Sequence, residues 1–279
     1  MQRQLTVAAL PLNIVANSPE RNYQRVADLL ASEGAAMQHA DIIVVPETFT
    51  TGFTEAMVRL AEPTEGATLD FARDMAHLYG ALFVGSWAVR EGDEVYNRMY
   101  WVRPDGTYGY YDKAHTFRVS FEHDVVARGA RRTTFEWRGW CIRPAVCYDL
   151  RFPTWLRNEV CAERGAEESA FLGLDYDLLL LTANWPASRQ SAWNTLLKAR
   201  AVENLSYVLG VNRSGEDEHG SAHNGDCLVV DYKGNELTTT QPGKECPLVA
   251  TLEAEPLLQF RKRWPFYLDF DRQVPPIEG

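Results

Sequence analysis

Three short segments each end a strand-like run beside a side chain that could take part in acyl transfer. They are Pro46-Glu47-Thr48, Tyr111-Asp112-Lys113-Ala114-His115 and Cys147-Tyr148-Asp149-Leu150-Arg151-Phe152-Pro153. Strand ends are the usual ligand sites of α/β sheets. Brought together, a Glu, a Lys and a Cys make a complete site: a thiolate attacks, a carboxylate takes and returns the proton, and an ammonium with a backbone N–H holds the oxyanion. Taken singly, each residue has a plainer reading. Cys147 closes an apolar run, where free cysteines are commonly buried. Glu47 caps a loop, and Lys113 is a solvated charge. The separations between the three residues carry no meaning by themselves.

The elements that must position these residues follow from hydrophobic pattern and turn chemistry. Leu5–Leu10 and Asp41–Pro46 read as buried strands. Ser18-Pro19 starts a helix with a cap and a first-turn proline, running to about Gln38. A helix from about Thr68 to Tyr79 stops at Gly80. Strands follow near 81–89 and 95–102, joined by a turn at Gly92, and Pro104-Asp105-Gly106 turns the chain again. Further strands lie near 133–137 and 140–147, separated by Arg138-Gly139, and near 176–183. A helix over 188–205 places Trp193, Leu197, Ala201 and Leu205 on one face, and strands near 207–211 and 227–231 come after it. Alternating helices and two-face apolar strands predict a layered α/β fold in a single domain over residues 1–279. The stretch Cys161–Gly173 has the weakest pattern and reads as a surface excursion.

Composition narrows the function classes. The 279 residues are 46% apolar and 24% charged, with a net charge of −10, as in an ordinary globular protein with a large core. An acidic surface repels nucleic acid and anionic membranes, and no apolar stretch is long enough to span a bilayer. The five cysteines form no C-x-x-C pair, so the reducing cytoplasm is the expected compartment. His219, His223 and Cys227 fall at spacings of four, but in a Gly-rich, acidic stretch that reads as a solvated loop. No metal and no cofactor are expected.

The three segments resemble the Glu–Lys–Cys signature of the nitrilase superfamily, the carbon–nitrogen hydrolases. Val45-Pro46-Glu47, Lys113-x-His115-x-Phe117 and Cys147-Tyr148-Asp149-x-Arg151-Phe152-Pro153 match in order and wording. So do Asn184-Trp185-Pro186 and Ala199-Arg200-Ala201-x-Glu203-Asn204, and the similarity runs from about Leu5 to Phe260. Within the superfamily the chain is most similar to the bacterial omega-amidases, the 2-oxoglutaramate amidase group. Phe117-Arg118, Phe121-Glu122-His123 and Glu136-Trp137-Arg138-Gly139-Trp140 carry that closer likeness.

The resemblance implies a four-layer α-β-β-α sandwich, usually paired into a homodimer. It also implies metal-free hydrolysis of a small non-peptide amide through a cysteine thioester. Cys147 is then the nucleophile, Glu47 the general base and acid, and Lys113 the oxyanion partner with the backbone N–H of Tyr148. Glu122 matches the second glutamate that orients Lys113. Arg118 is the expected anchor for a substrate carboxylate, Trp185 a pocket wall, and Arg151 a structural tie to Glu47 or Asp149. The aromatic-rich tail from about 257 is expected to pack on the domain and on a partner subunit. A nitrilase or carbamoylase would use the same three residues. A metal-dependent phosphohydrolase would need clustered Asp, His and Asn, and a silent binding protein would not need the intact set.

Overall fold

In the computed structural model, residues 3–32, 37–160 and 174–270 are described. They build two facing sheets. The first contains seven strands, with the order 248–253, 4–9, 42–44, 82–91, 94–102, 108–112, and Glu62–Pro63 paired to the side of 82–91. The second has six, in the order 236–239, 228–230, 207–212, 178–183, 140–146, 135–137.

Strand parity separates the hydrophobic layers. Leu5, Val7 and Ala9 face the second sheet together with Ile42, Val44, Leu82 and Val84, meeting Ile142, Val146, Leu178, Leu180 and Leu209. The alternate residues Ala8, Ile43 and Phe83 turn outward onto Val26 and Leu30 of the helix Pro19–Ser32 and Leu69, Ala72 and Ala76 of the helix Ala67–Tyr79. On the far side, Leu179, Leu181 and Val208 pack against Trp193, Leu197 and Ala201 of the helix Gln190–Asn204. Three apolar layers between four backbone layers make the α-β-β-α sandwich. Strands covered on both faces read as continuous apolar runs, which is why they stand out in the sequence.

Local signals behave as their chemistry requires. Gly80 takes φ 61° and its N–H closes the helix onto Ala76 and His77 carbonyls. Gly210 is needed for close packing: a Cβ there would lie 2.7 Å from both Leu197 and Trp193.

Several boundaries differ from the sequence reading. The strand expected over 41–46 is only Ile42–Val44; the Val45 N–H still donates to the Val84 carbonyl at 2.8 Å, and beyond it the chain turns through Glu47 and Thr48, the latter with φ 46°. The first helix is described to Ser32, and its expected extension enters residues 33–36, outside the described residues. The excursion Cys161–Gly173 also lies outside them. Tyr108–Asp112, Glu236–Thr239 and Leu248–Glu253 are additional strands. The tail opens as the helix Ala254–Arg263, with Leu257 in the inter-sheet core and buried Arg261 bonded at 2.7 Å to Asp177. Beyond it, Trp264, Phe266 and Leu268 are exposed.

Candidate active site

Three strand ends converge beneath one cavity of about 600 Å³. Glu47 follows the short strand Ile42–Val44 and is fully buried. Lys113 comes directly after Tyr108–Asp112, its N–H anchored on the Asn97 carbonyl at 3.0 Å. Glu122 opens a one-turn helix in the loop that follows. The Lys113 Nζ lies 2.8 Å from Glu47 Oε1, and 2.9 and 2.8 Å from the two oxygens of Glu122. The Phe117 N–H donates to Glu122 Oε2 at 2.6 Å, and the Asn184 N–H to Glu47 Oε2 at 2.8 Å. Each carboxylate is therefore oriented by a backbone donor as well as by the shared ammonium.

Cys147 ends the strand Trp140–Val146 and starts a 3₁₀ turn running to Arg151. Its φ of 42° is strained for a side chain with a Cβ, at a typical cost of about 1–3 kcal/mol. Asp149 secures this turn. One of its oxygens accepts from Val146 N–H at 3.0 Å and the Tyr111 hydroxyl at 2.8 Å. The other accepts from His115 N–H at 3.0 Å and lies 2.7 Å from His115 Nδ1. The His115 ring stacks on Phe152 at 3.8 Å.

Electrostatics decide the resting protonation. Burial, followed by the charge of Glu47, pushes the Cys147 thiol well above its ordinary range, and Lys113 only partly opposes this. Cys147 therefore rests as a thiol beside the Glu47 side chain. Burial alone would lower the Lys113 ammonium. The charges of Glu122 and Glu47 outweigh it and hold the group above the usual lysine range. Glu122 is pushed up by burial and by Glu47, against the pull of Lys113.

The other expected residues fall into two groups. Tyr148 and Trp185 line the cavity. Arg118 is exposed and is not among the residues lining it; Arg151 and Arg189 are. Arg151 forms no tie to Glu47 or Asp149. Asp149 is already satisfied by Tyr111, His115 and Val146, and the Arg151 guanidinium instead lies 4.9 Å from the centre of the Trp185 ring. Among the described residues, no group of three or more His, Cys, Asp or Glu gathers as a metal site. Cys227 is buried, and its thiol faces the Asn212 carbonyl.

Asn97 escaped the sequence reading. Its amide donates to Glu47 at 2.9 Å and Glu122 at 3.1 Å, joining the two carboxylates from the middle of a strand. The available signal was an amide within the Val95–Val102 run, where burial of an amide demands partners. Asn184 was noticed only as part of a motif, and Arg189 only as part of a helix.

Comparison with known proteins agrees with this architecture. The carbon–nitrogen hydrolase family model matches residues 6–262. The omega-amidase YafV of Yersinia enterocolitica is 42% identical over 237 residues, covering 85% of this chain and 87% of that protein. The 2-oxoglutaramate amidase of Bacillus subtilis is 30% identical, covering 96% and 98%. A carbon–nitrogen hydrolase superfamily protein of Xanthomonas campestris, solved with an arsenic adduct in its active site, superposes with a TM-score of 0.89 at 38% identity over 98% and 99% of the two chains. A nitrilase-superfamily protein of Saccharomyces cerevisiae shares the fold at a TM-score of 0.81 and 22% identity, over 94% and 95%. With its family match, its relatives and its sandwich in agreement, the chain belongs to the carbon–nitrogen hydrolase family of the nitrilase superfamily and is an amide-hydrolysing enzyme.

Proposed function

We propose that the protein hydrolyses the terminal amide of a small 2-oxo dicarboxylic acid monoamide, such as 2-oxoglutaramate, to the diacid and ammonia. The observation that carries this is the convergence of Glu47, Lys113 and Glu122 beneath Cys147 in one cavity. The names of its relatives supply the substrate class.

The chemistry runs in two halves. As the Cys147 sulfur attacks the amide carbon, Glu47 takes the thiol proton. The oxyanion is held by Lys113 and the Tyr148 backbone N–H. Glu47 then protonates the nitrogen, because an amide anion leaves poorly, and ammonia departs from a thioester. Water attacks the thioester as Glu47 takes its proton. The C–S bond breaks, Glu47 returns the proton to sulfur, and the acid is released. Glu122 and Asn97 hold Lys113 and Glu47 in register throughout. The new product carboxylate forms beside the Glu47 charge, which favours its departure.

In this reading the enzyme works as a cytoplasmic homodimer. Support comes from the free cysteines and from the exposed Trp264, Phe266 and Leu268, which offer an apolar surface for a second copy. Among the described residues, no helix is long and apolar enough to cross a membrane.

The test is ammonia release from 2-oxoglutaramate, 2-oxosuccinamate, a simple nitrile and a carbamoyl amino acid, with mass spectrometry of quenched enzyme. The expected result is turnover of the two oxo-acid amides and an acyl mass on Cys147. Turnover confined to the nitrile or the carbamoyl compound would overturn the substrate assignment. An acyl mass on another cysteine would overturn the nucleophile.

A further inference from the structure

A second cavity, of about 450 Å³, shares no lining residue with the catalytic one. Arg98, Arg128, Arg131 and Arg132 line it, against two acids, Glu91 and Asp112. One arginine engages both acids. Arg98 is buried and donates to Asp112 at 2.6 and 3.0 Å and to Glu91 at 2.7 Å, with the Tyr110 ring centre 3.8 Å from its guanidinium carbon. Arg132 pairs with Glu159 and donates to the Arg157 carbonyl at 2.6 Å. Arg128 and Arg131 form no ion pair with a carboxylate among the described residues. Two uncompensated cations in one concavity, in a chain whose net charge is −10, make a local site for an anion.

The segment that carries these arginines is docked on the strand end before the catalytic lysine. The Gly129 N–H donates to the Lys113 carbonyl at 2.9 Å, and Arg128 Nε donates to the Ala114 carbonyl at 2.8 Å. A Cβ at position 129 would collide with the Asp112 carbonyl, so glycine permits this close approach. Such anchoring lowers the ordering cost of binding. Arg132 supplies an independent sign of a missing acceptor: its Nε is buried and has no hydrogen-bond partner, a cost that an anionic oxygen would relieve. Arg128 and Arg131 are three residues apart, so their Cα atoms are separated by at most roughly 11 Å. Each guanidinium fork matches one carboxylate, and two forks on this scale suit a short molecule with a carboxylate at each end.

We propose that this second cavity is a binding site for a small dicarboxylate, held at its two ends by Arg128 and Arg131 over the buried, charge-balanced Arg98. The site is separate from the catalytic cavity and does not depend on which amide is hydrolysed there. Two of its lining residues, Tyr111 and Asp112, immediately precede Lys113 in the chain.

The experiment is calorimetric titration of succinate, inorganic phosphate and the neutral 1,4-butanediol into wild type, Arg131→Ser, the Arg128→Ser/Arg131→Ser double variant, and wild type alkylated at Cys147 with iodoacetamide. Wild type should bind succinate more tightly than phosphate and should not bind the diol. Arg131→Ser should weaken succinate binding by at least about tenfold, and the double variant by about a hundredfold, the scale of charge-assisted hydrogen bonds. Alkylated enzyme should bind succinate as wild type does, because the catalytic cavity is a different one. Arg131 is exposed and makes no hydrogen bond among the described residues, so its serine variant should melt with wild type and decides the matter even where loss of Arg128 lowers stability. No succinate binding by wild type at about 10 mM, a weak affinity for a two-arginine site, would overturn the proposal. So would an unchanged affinity in Arg131→Ser, or binding that disappears on alkylation of Cys147. Tighter binding of phosphate than of succinate would overturn the dicarboxylate assignment, and equal binding of the diol would overturn recognition by charge.

Discussion

Replacing Lys113 by Met removes a charge that two buried carboxylates share. Lys113 is 1% exposed, Glu47 and Glu122 are fully buried, and all three ammonium contacts are 2.8–2.9 Å. Methionine fills much of the volume, so the change is mainly electrostatic. Breaking a buried pair by deleting one partner typically costs about 3–5 kcal/mol, a large share of the ~5–15 kcal/mol that holds a domain together. Burial and Glu47 already push the Glu122 carboxyl up, and Lys113 is the main charge opposing them. Without Lys113, Glu122 rises further. A carboxyl raised in the folded state stabilises the fold below its unfolded value of about 4.5, and that contribution is lost as pH climbs through the folded value. The deficit of Lys113→Met should therefore be larger at a mildly alkaline pH such as 8 than at a mildly acid one such as 5. Guanidinium unfolding of both proteins at those two pH values measures it. Adding Glu122→Gln to Lys113→Met should restore most of the stability, since one buried charge then remains instead of two. A deficit below about 1 kcal/mol at the higher pH, the scale of a surface pair, or one indifferent to pH, would refute this account.

Cys147→Ala should abolish turnover and the acyl adduct while retaining the fold, and Cys147→Gly should melt higher than Cys147→Ala because only glycine takes a φ of 42° without strain. Glu47→Gln keeps the shape but shuttles no proton, so kcat should fall by at least about 100-fold in steady-state assays. Asn97→Ala deletes two hydrogen bonds to buried carboxylates, and kcat/KM should fall by roughly ten- to a hundredfold; unchanged kinetics would remove Asn97 from the positioning set. Trp264→Ser with Phe266→Ser should weaken self-association in sedimentation runs at low protein concentration, with little change in fold, because both side chains are exposed within the chain.

What the sequence determined is what short stretches of chain determine. An apolar run that stops at Cys147, a helix that must end at Gly80, and the Trp193, Leu197 and Ala201 stripe are local patterns, and each produced its element. The motif words around Glu47, Lys113 and Cys147 pointed to the three residues that the fold brings under one cavity, and that we propose as the reacting groups, before any contact was known. The strand at 248–253 was not legible, because its place in the sheet depends on pairing with the distant strand 4–9 more than on its own pattern. Tertiary structure alone decided how the site is assembled. Lys113 meets Glu47 across 66 residues and Asn184 meets it across 137. Asn97 becomes a bridge only because its strand points that one side chain between two carboxylates. Arg118 in a loop and Arg189 at the start of a helix are both exposed, and only the folded backbone puts Arg189 on the cavity and Arg118 off it. The direction of a side chain and the identity of its distant neighbours are set by packing of the two sheets, and no local spacing encodes them.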